Sequence, residues 1–393
     1  MTLTTAPSSP IDLWTPEIMA EPYPAYRELR DLAPVVYLEN FDLWAIGRYA
    51  QVREVLGHWE RFTSTQGTAL SAQLNELILG TILSVDPPLH DQMRSVLAEQ
   101  LTPRAIAGLT GEVEARAEAL VERVVAMGSF DAVSDLAEPL PVELVAHLIG
   151  LPEDKWEPLL DLADSIFTVY GPWNELTQAN LEGANAFYAY CAEEAAREKL
   201  CPGSWGAAIY EAADAGVIPH EQTTNLMASY VGAGMDTTIA GIAVAVKLFA
   251  ENPDQWDLLR AEPDLMRQTF SEILRLEGPV QSFSRVTVDD WDADGIEVPA
   301  GARLLVLYAS ANRDERKWPD PERFDIRRNP IDHLGFGYGL HACAGQALAR
   351  LEIHAVLGAL ARRVARFEIG EPVMRPNNIL RTLKSLPVSV VPA

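Results

Sequence analysis

Apolar and polar positions follow a helical period over most of the chain and a strand period in only a few short stretches. From residue 103 to 196 the pattern predicts helices almost throughout, broken at Gly128-Ser129, Gly150-Leu151-Pro152 and Gly171-Pro172. Earlier, residues 22–32 and 49–57 predict shorter helices. Residues 35–38 and 43–47 alternate as a hairpin turning near Asn40. The stretch 63–84 has no clean period, so it predicts a long loop with a helical piece at 71–79, followed by a helix opened by Pro87-Pro88. The longest apolar helix is predicted at 221–251, and at ~1.5 Å per residue it would cross roughly 45 Å. Another helix follows at 263–277, then strands over 280–306, an irregular stretch at 312–330, a helical run at 346–367 and a terminal hairpin at 380–391. Residues 1–20 read as an irregular arm. The class is mainly α with small β-sheets, and the absence of repeats, linkers or low-complexity segments predicts a single domain over 1–393.

Composition narrows the setting. The 393 residues suffice for a large core, and 48% hydrophobic with 22% charged content is that of a globular chain. A net charge of −25 argues against nucleic acid or an anionic membrane surface as partner. The longest apolar run, residues 239–246, is far short of the roughly 20 residues of a membrane span, and residues 1–10 lack the features of a secretory signal. Three scattered cysteines, Cys191, Cys201 and Cys343, make no disulfide framework. These features predict a cytoplasmic protein with no membrane contact.

Two stretches break local rules. Residues 231–238 put two glycines, Asp236, Thr237 and Thr238 into an otherwise apolar helix, where each costs stability; such violations are expected at functional sites. An adjacent carboxylate and hydroxyl beside a notch of small residues suit proton delivery through water. The second stretch, residues 336–345, sets His341 and Cys343 among glycines just before a helical run. A thiolate is favoured where a helix begins, glycines permit close approach to the backbone, and an anionic sulfur is one way to ligate iron. Taken alone, the loop also fits a buried structural cysteine.

The pattern Phe336-Gly337-x-Gly339-x-His341-x-Cys343-x-Gly345 resembles the haem-binding loop of the cytochromes P450. Partner motifs stand upstream in that family's order: His90-x-x-x-Arg94, Ala233-Gly234-Met235-Asp236-Thr237, Glu272-x-x-Arg275 and Pro321-Glu322-Arg323-Phe324. The resemblance implies the P450 fold, a triangular helical prism around a buried haem b whose iron is ligated by the Cys343 thiolate. It puts Phe336, Gly345 and Ala233 against the cofactor, and His90, Arg94, Arg285 and His341 at its propionates. It makes Asp236 a proton relay and Thr237 the hydroxyl that assists oxygen activation. Glu272, Arg275 and Arg323 become a structural triad. The implied activity is monooxygenation with O2 and two electrons from a separate NADH-dependent ferredoxin reductase and ferredoxin, by a monomer with no fused reductase domain. A peroxygenase, or a non-catalytic haem-binding or sensing module, would not need Asp236 and Thr237.

The substrate is approached through a narrower likeness. Residues 171–178, 279–281 and 310–314 resemble bacterial P450s that O-demethylate small methoxylated aromatics such as 4-methoxybenzoate, in aromatic catabolism. That resemblance implies a pocket of Leu77, Ile82, Leu83, Phe167, Tyr170, Ser229, Gly232, Val280 and Phe283. Those relatives hold a carboxylate with basic and hydroxyl groups, whereas the matching positions here are Leu77, Gly80 and Ala228, and residues 63–84 contain no Lys or Arg. A carboxylate in an apolar pocket without a counter-charge is costly. The expected substrate is therefore a neutral aromatic: a methoxyphenol such as an alkylguaiacol, for O-demethylation, or an alkylphenol, for hydroxylation. A methoxybenzoate-type acid is the alternative.

Overall fold

A computed structural model describes residues 4–156 and 158–393. The long central helix forms over Thr223–Glu251, after a 3-10 turn at His220–Gln222 where the sequence predicted its first helical turn. Every residue from Ile239 to Val246 is buried, so this apolar run is a core element. Among the described residues only the segment His220–Glu251 is long and apolar enough to cross a membrane, and most of it lies inside the protein. Helices Pro139–Ile149, Leu159–Thr168, Glu175–Glu193, Met266–Glu277 and Gln346–Arg363 pack around it. Gly234 permits one of these contacts: a Cβ there would lie 2.9 Å from Val145 Cγ2.

The predicted hairpin forms from Val36–Leu38 and Leu43–Ile46. Leu43–Ile46 pairs in parallel with Arg303–Leu307, which pairs antiparallel with Ser282–Thr287. Ser8–Ser9 and Phe62–Thr63 complete a six-stranded sheet at its two edges. The N-terminal arm is thus more ordered than expected, with strands at Thr4–Thr5 and Ser8–Ser9 and a helix at Pro16–Ala20; its residues 1–3 lie outside the described residues. Unpaired groups on the hairpin edge capture it, Tyr37 N–H donating to Pro7 O at 2.9 Å and Glu39 N–H to Ser9 O at 3.2 Å.

The terminal hairpin expected over 380–391 does not form. Thr382–Ser385 pairs with Val373–Arg375, while Pro387–Pro392 pairs with Val364–Ile369 and with Ser129–Asp131. Leu386 alone separates the two terminal strands, and one residue is too short a connection for a hairpin. The chain passes instead from one sheet to another. Ser129–Asp131 was expected only as a break between helices; three residues are too few to show a strand period.

Apolar side chains form two clusters, one around the central helix and one around the six-stranded sheet. Val280 and Phe283 pack against both. The strand that carries Phe283 therefore lies where the helical and sheet parts meet.

Candidate active site

A cavity of about 280 Å³ opens at this junction. One side is the loop before Gln346–Arg363. Gly337 and Gly339 adopt φ of +69° and +73°, and a Cβ on Gly339 would fall 2.0 Å from Leu56 O, so the loop's path requires glycine there. Cys343 N–H donates to Phe336 O at 2.8 Å, folding the loop back on itself and presenting the sulfur, Phe336 and Gly345 to the cavity. Burial pushes the Cys343 thiol up, whereas the Gly345 and Gln346 N–H groups and the Arg94 guanidinium act in the opposite direction. Two N–H donors and a nearby cation are what a resident thiolate needs.

Four basic side chains also line the cavity: His90, Arg94, Arg285 and His341. Arg285 and Phe283 are two residues apart on Ser282–Thr287, so the strand's pleat turns both to the cavity, while Ser284 turns away and donates to Ala69 O at 3.0 Å. The rings of His90 and His341 meet edge to face at 4.7 Å. His341 Nε2 is 3.2 Å from Ser64 Oγ and 3.9 Å from Asp86 Oδ1, and burial lowers its pKa to about 4. His90 Nδ1 lies 3.2 Å from Asp91 Oδ1, while its buried Nε2 has no hydrogen-bond partner. A group bearing two carboxylates, with a metal for the sulfur, fits this donor set.

The central helix forms another wall with Ser229, Gly232, Ala233 and Thr237. Thr237 Oγ1 donates to Ala233 O at 2.9 Å and Ser229 Oγ to Asn225 O at 2.7 Å, so both protons are committed to the helix. Asp236 adjoins Thr237 in sequence but is buried and absent from the cavity lining.

The scaffold next to the cysteine loop corrects one expectation. Glu272 and Arg275 are fully buried and joined at 2.7 Å (Nε to Oε2) and 2.9 Å (Nη2 to Oε1). The second guanidinium on Glu272 comes from Arg328, Nε to Oε1 at 3.1 Å, and not from Arg323. The Arg323 side chain is exposed; only its backbone carbonyl takes part, accepting from Arg275 Nη2 at 3.4 Å. The chain turns at 325–328, and Asp325 N–H donates to Glu272 Oε1 at 3.2 Å, which aims Arg328 inward. Nothing in the spacing of Arg323, Arg327 and Arg328 distinguishes the inward residue.

Of the expected substrate wall, Ile82, Leu83, Phe167, Tyr170, Ser229, Gly232, Val280 and Phe283 all line the cavity. Leu77 does not. It is 64% exposed on the outer face of Ala72–Ile78, whose inward positions are Leu74, Asn75 and Ile78. Asn75 fixes this orientation by bonding both the N–H and the O of Ala69, at 2.9 and 3.0 Å. Residues missed from sequence include Thr81, Tyr188 and Glu352, which also line the cavity. Tyr188 was legible only as one aromatic among several on a helix, and Glu352 only as an acid inside an apolar pattern.

The fold and this donor set define a haem–thiolate protein. The chain belongs to the cytochrome P450 family. The family profile "Cytochrome P450" matches residues 207–389. Cytochrome P450 CYP199A2 of Rhodopseudomonas palustris is 42% identical over 388 residues, covering 98% of this chain and 94% of that protein. Linalool 8-monooxygenase of Pseudomonas putida is 30% identical, covering 97% and 98%. Among solved structures, Mycobacterium marinum CYP268A2 in complex with pseudoionone superposes with a TM-score of 0.87 at 27% identity, covering 98% of this chain and all of that one. The protein is a P450 monooxygenase, and the family's haem, its iron held by a cysteine thiolate, is its cofactor.

Proposed function

We propose that the enzyme oxidises a small, neutral aromatic, removing the methyl group of a methoxyphenol or hydroxylating an alkylphenol. The observation that carries this reading is the distribution of charge. Among the described residues lining the cavity, the basic ones are His90, Arg94, Arg285 and His341, which together match the two acid groups of haem and leave no cation for a substrate carboxylate. The other walls, from Ile82, Leu83, Phe167, Val280 and Phe283, suit a flat apolar ring.

Haem, when bound, would supply O2 activation, with Cys343 the residue that would hold its iron. Arg94 and Arg285 would hold its acid groups as charged donors and His341 as a neutral one. A carboxylate meeting the unpartnered His90 Nε2 favours the protonated ring, since Nδ1 already faces Asp91. Thr237, its own proton given to Ala233 O, accepts from a water in the cavity and holds it beside the reacting oxygen. Asp236, next to Thr237 in sequence and buried outside the cavity lining, would relay protons toward that water. Removal of one methyl group would consume O2, two protons and two electrons and yield the phenol, formaldehyde and one water. The electrons come from a separate ferredoxin and its NADH-dependent reductase in the cytoplasm, the chain working there as a monomer and as one domain over 1–393.

A spin-state titration of the haem-loaded protein tests the substrate class. A 4-alkylguaiacol should bind more tightly than 4-methoxybenzoate; the reverse order would assign the pocket to aromatic acids.

A further inference from the structure

The cavity wall opposite in character to the basic groups is apolar except for a knot of hydroxyls. Tyr170 follows Leu159–Thr168, Tyr188 lies on Glu175–Glu193, and Thr81 precedes the 3-10 turn Ile82–Ser84. All three line the cavity. The Tyr170 hydroxyl interacts with those of both Thr81 and Tyr188, and Thr81 Oγ1 lies 3.2 Å from Ser84 Oγ. Tyr170 is held firmly. Leu70 N–H donates to Tyr170 O at 3.1 Å, Asn378 Nδ2 donates to Thr168 O at 2.9 Å, and the Tyr170 ring meets Phe283 edge to face at 5.7 Å. Gly171 lies so close to Asn378 that a Cβ there would be 2.3 Å from that residue's own Cβ.

Three polar groups in an apolar wall carry a desolvation cost unless they are bonded. The Thr81 proton goes to Ser84 Oγ, outside the cavity lining, and the Tyr170 hydroxyl interacts with both Thr81 and Tyr188, so lone pairs on these oxygens remain to face the cavity. Burial keeps both tyrosines protonated across the physiological range. Such lone pairs take a hydrogen bond from a ligand. A phenolic hydroxyl can donate to them; an ionised carboxylate only accepts and brings an unbalanced charge. By contrast, the protons of Ser229 and Thr237 are already committed to helix carbonyls.

We infer that the hydroxyls of Tyr170, Tyr188 and Thr81 form a single anchor for the phenolic hydroxyl of the substrate, and so select phenols over hydrocarbons of the same shape. The inference rests on the neutral-aromatic reading above. It makes Tyr188 and Thr81 specificity-determining residues of the same rank as Tyr170, although neither touches the cofactor-binding loop.

The test compares 4-ethylphenol with ethylbenzene on the haem-loaded protein, with dissociation constants from spin-state titration and from calorimetry. Tyr188→Phe should shift the ratio of the two constants about tenfold toward ethylbenzene, the scale of one lost hydrogen bond to a bound ligand. Ethylbenzene itself should bind about as before. Tyr170→Phe and Thr81→Val provide the same readout should the first variant not load haem, which the ferrous–carbon monoxide spectrum checks. An unchanged ratio in all three variants, or a parallel weakening of both ligands, would overturn the anchor and leave the neutral-aromatic reading intact. If the unaltered protein bound neither compound, that reading would fall and the anchor with it.

Discussion

On the cysteine side of the molecule, ions and backbone groups bond to one another; across the cavity, around Tyr170 and Phe283, rings and aliphatic chains make the wall. Glu272 alone receives Arg275, Arg328 and the Asp325 N–H. Arg275 in turn reaches Asn312 O at 2.9 Å and Pro321 O at 2.8 Å. The facing wall is made mainly of apolar contact, such as Tyr170 on Phe283, with its polar contacts confined to the hydroxyls of Tyr170, Tyr188 and Thr81 and the backbone beside them. Buried ions have to be saturated, so the first region admits few alternatives, whereas an apolar wall tolerates exchange of one shape for another of similar volume. The polar side therefore tolerates little change, and the apolar side can be reshaped with less loss of stability.

The largest effect that would break this contrast is at the sulfur. Cys343→Ser should abolish monooxygenase activity and remove the red-shifted absorbance band of the thiolate-ligated ferrous–carbon monoxide complex. Retention of that band would remove the basis for the site altogether. Next comes the scaffold. Glu272→Ala leaves Arg275 buried without its counter-charge and should cost about 3–5 kcal/mol in denaturant unfolding. Arg323→Ala, at an exposed side chain whose carbonyl is untouched, should change stability by no more than about 0.5 kcal/mol. Equal losses in the two variants would restore Arg323 to the triad and displace Arg328.

The two regions were also unequally legible. Motifs on the polar side are short and local: the cysteine loop and Glu272-x-x-Arg275 each lie within a few residues of chain, whereas of the adjacent Asp236 and Thr237 only Thr237 lines the cavity. Arg323 fails because the choice among three nearby arginines is made by a turn at 325–328, which leaves no periodic trace. Leu77 fails for a similar reason. Its neighbours Leu74 and Ile78 are as apolar as it is, and only the bonds from Asn75 to Ala69 decide which face points inward. The longest helices, Pro103–Met127 and Thr223–Glu251, were foreseen to within a few residues, whereas Trp205–Asp214 and Pro253–Ala261 were not foreseen. The terminal strands were foreseen as strands but not in their pairing, because partners such as Ser129–Asp131 lie far away in sequence.

Glu352, like His90 Nε2, is left unsaturated on the polar side, and it sharpens the contrast most finely. It lines the cavity from Gln346–Arg363, is 1% exposed, and neither carboxylate oxygen has a hydrogen-bond partner. Burial pushes its pKa up from 4.5 to about 8, so the folded protein holds the acid neutral at pH 7. Between those two values the folded state binds a proton that the unfolded chain has released. The associated stability is therefore complete below about pH 4.5, declines as pH rises and is lost above about 8, with a slope of at most about 1.4 kcal/mol per pH unit. Glu352→Gln keeps the shape and removes the titration. Denaturant unfolding of both haem-loaded proteins at pH 5, 6, 7 and 8 should show the unaltered protein losing stability relative to the variant at each step upward. A difference independent of pH would mean that Glu352 is saturated like Glu272.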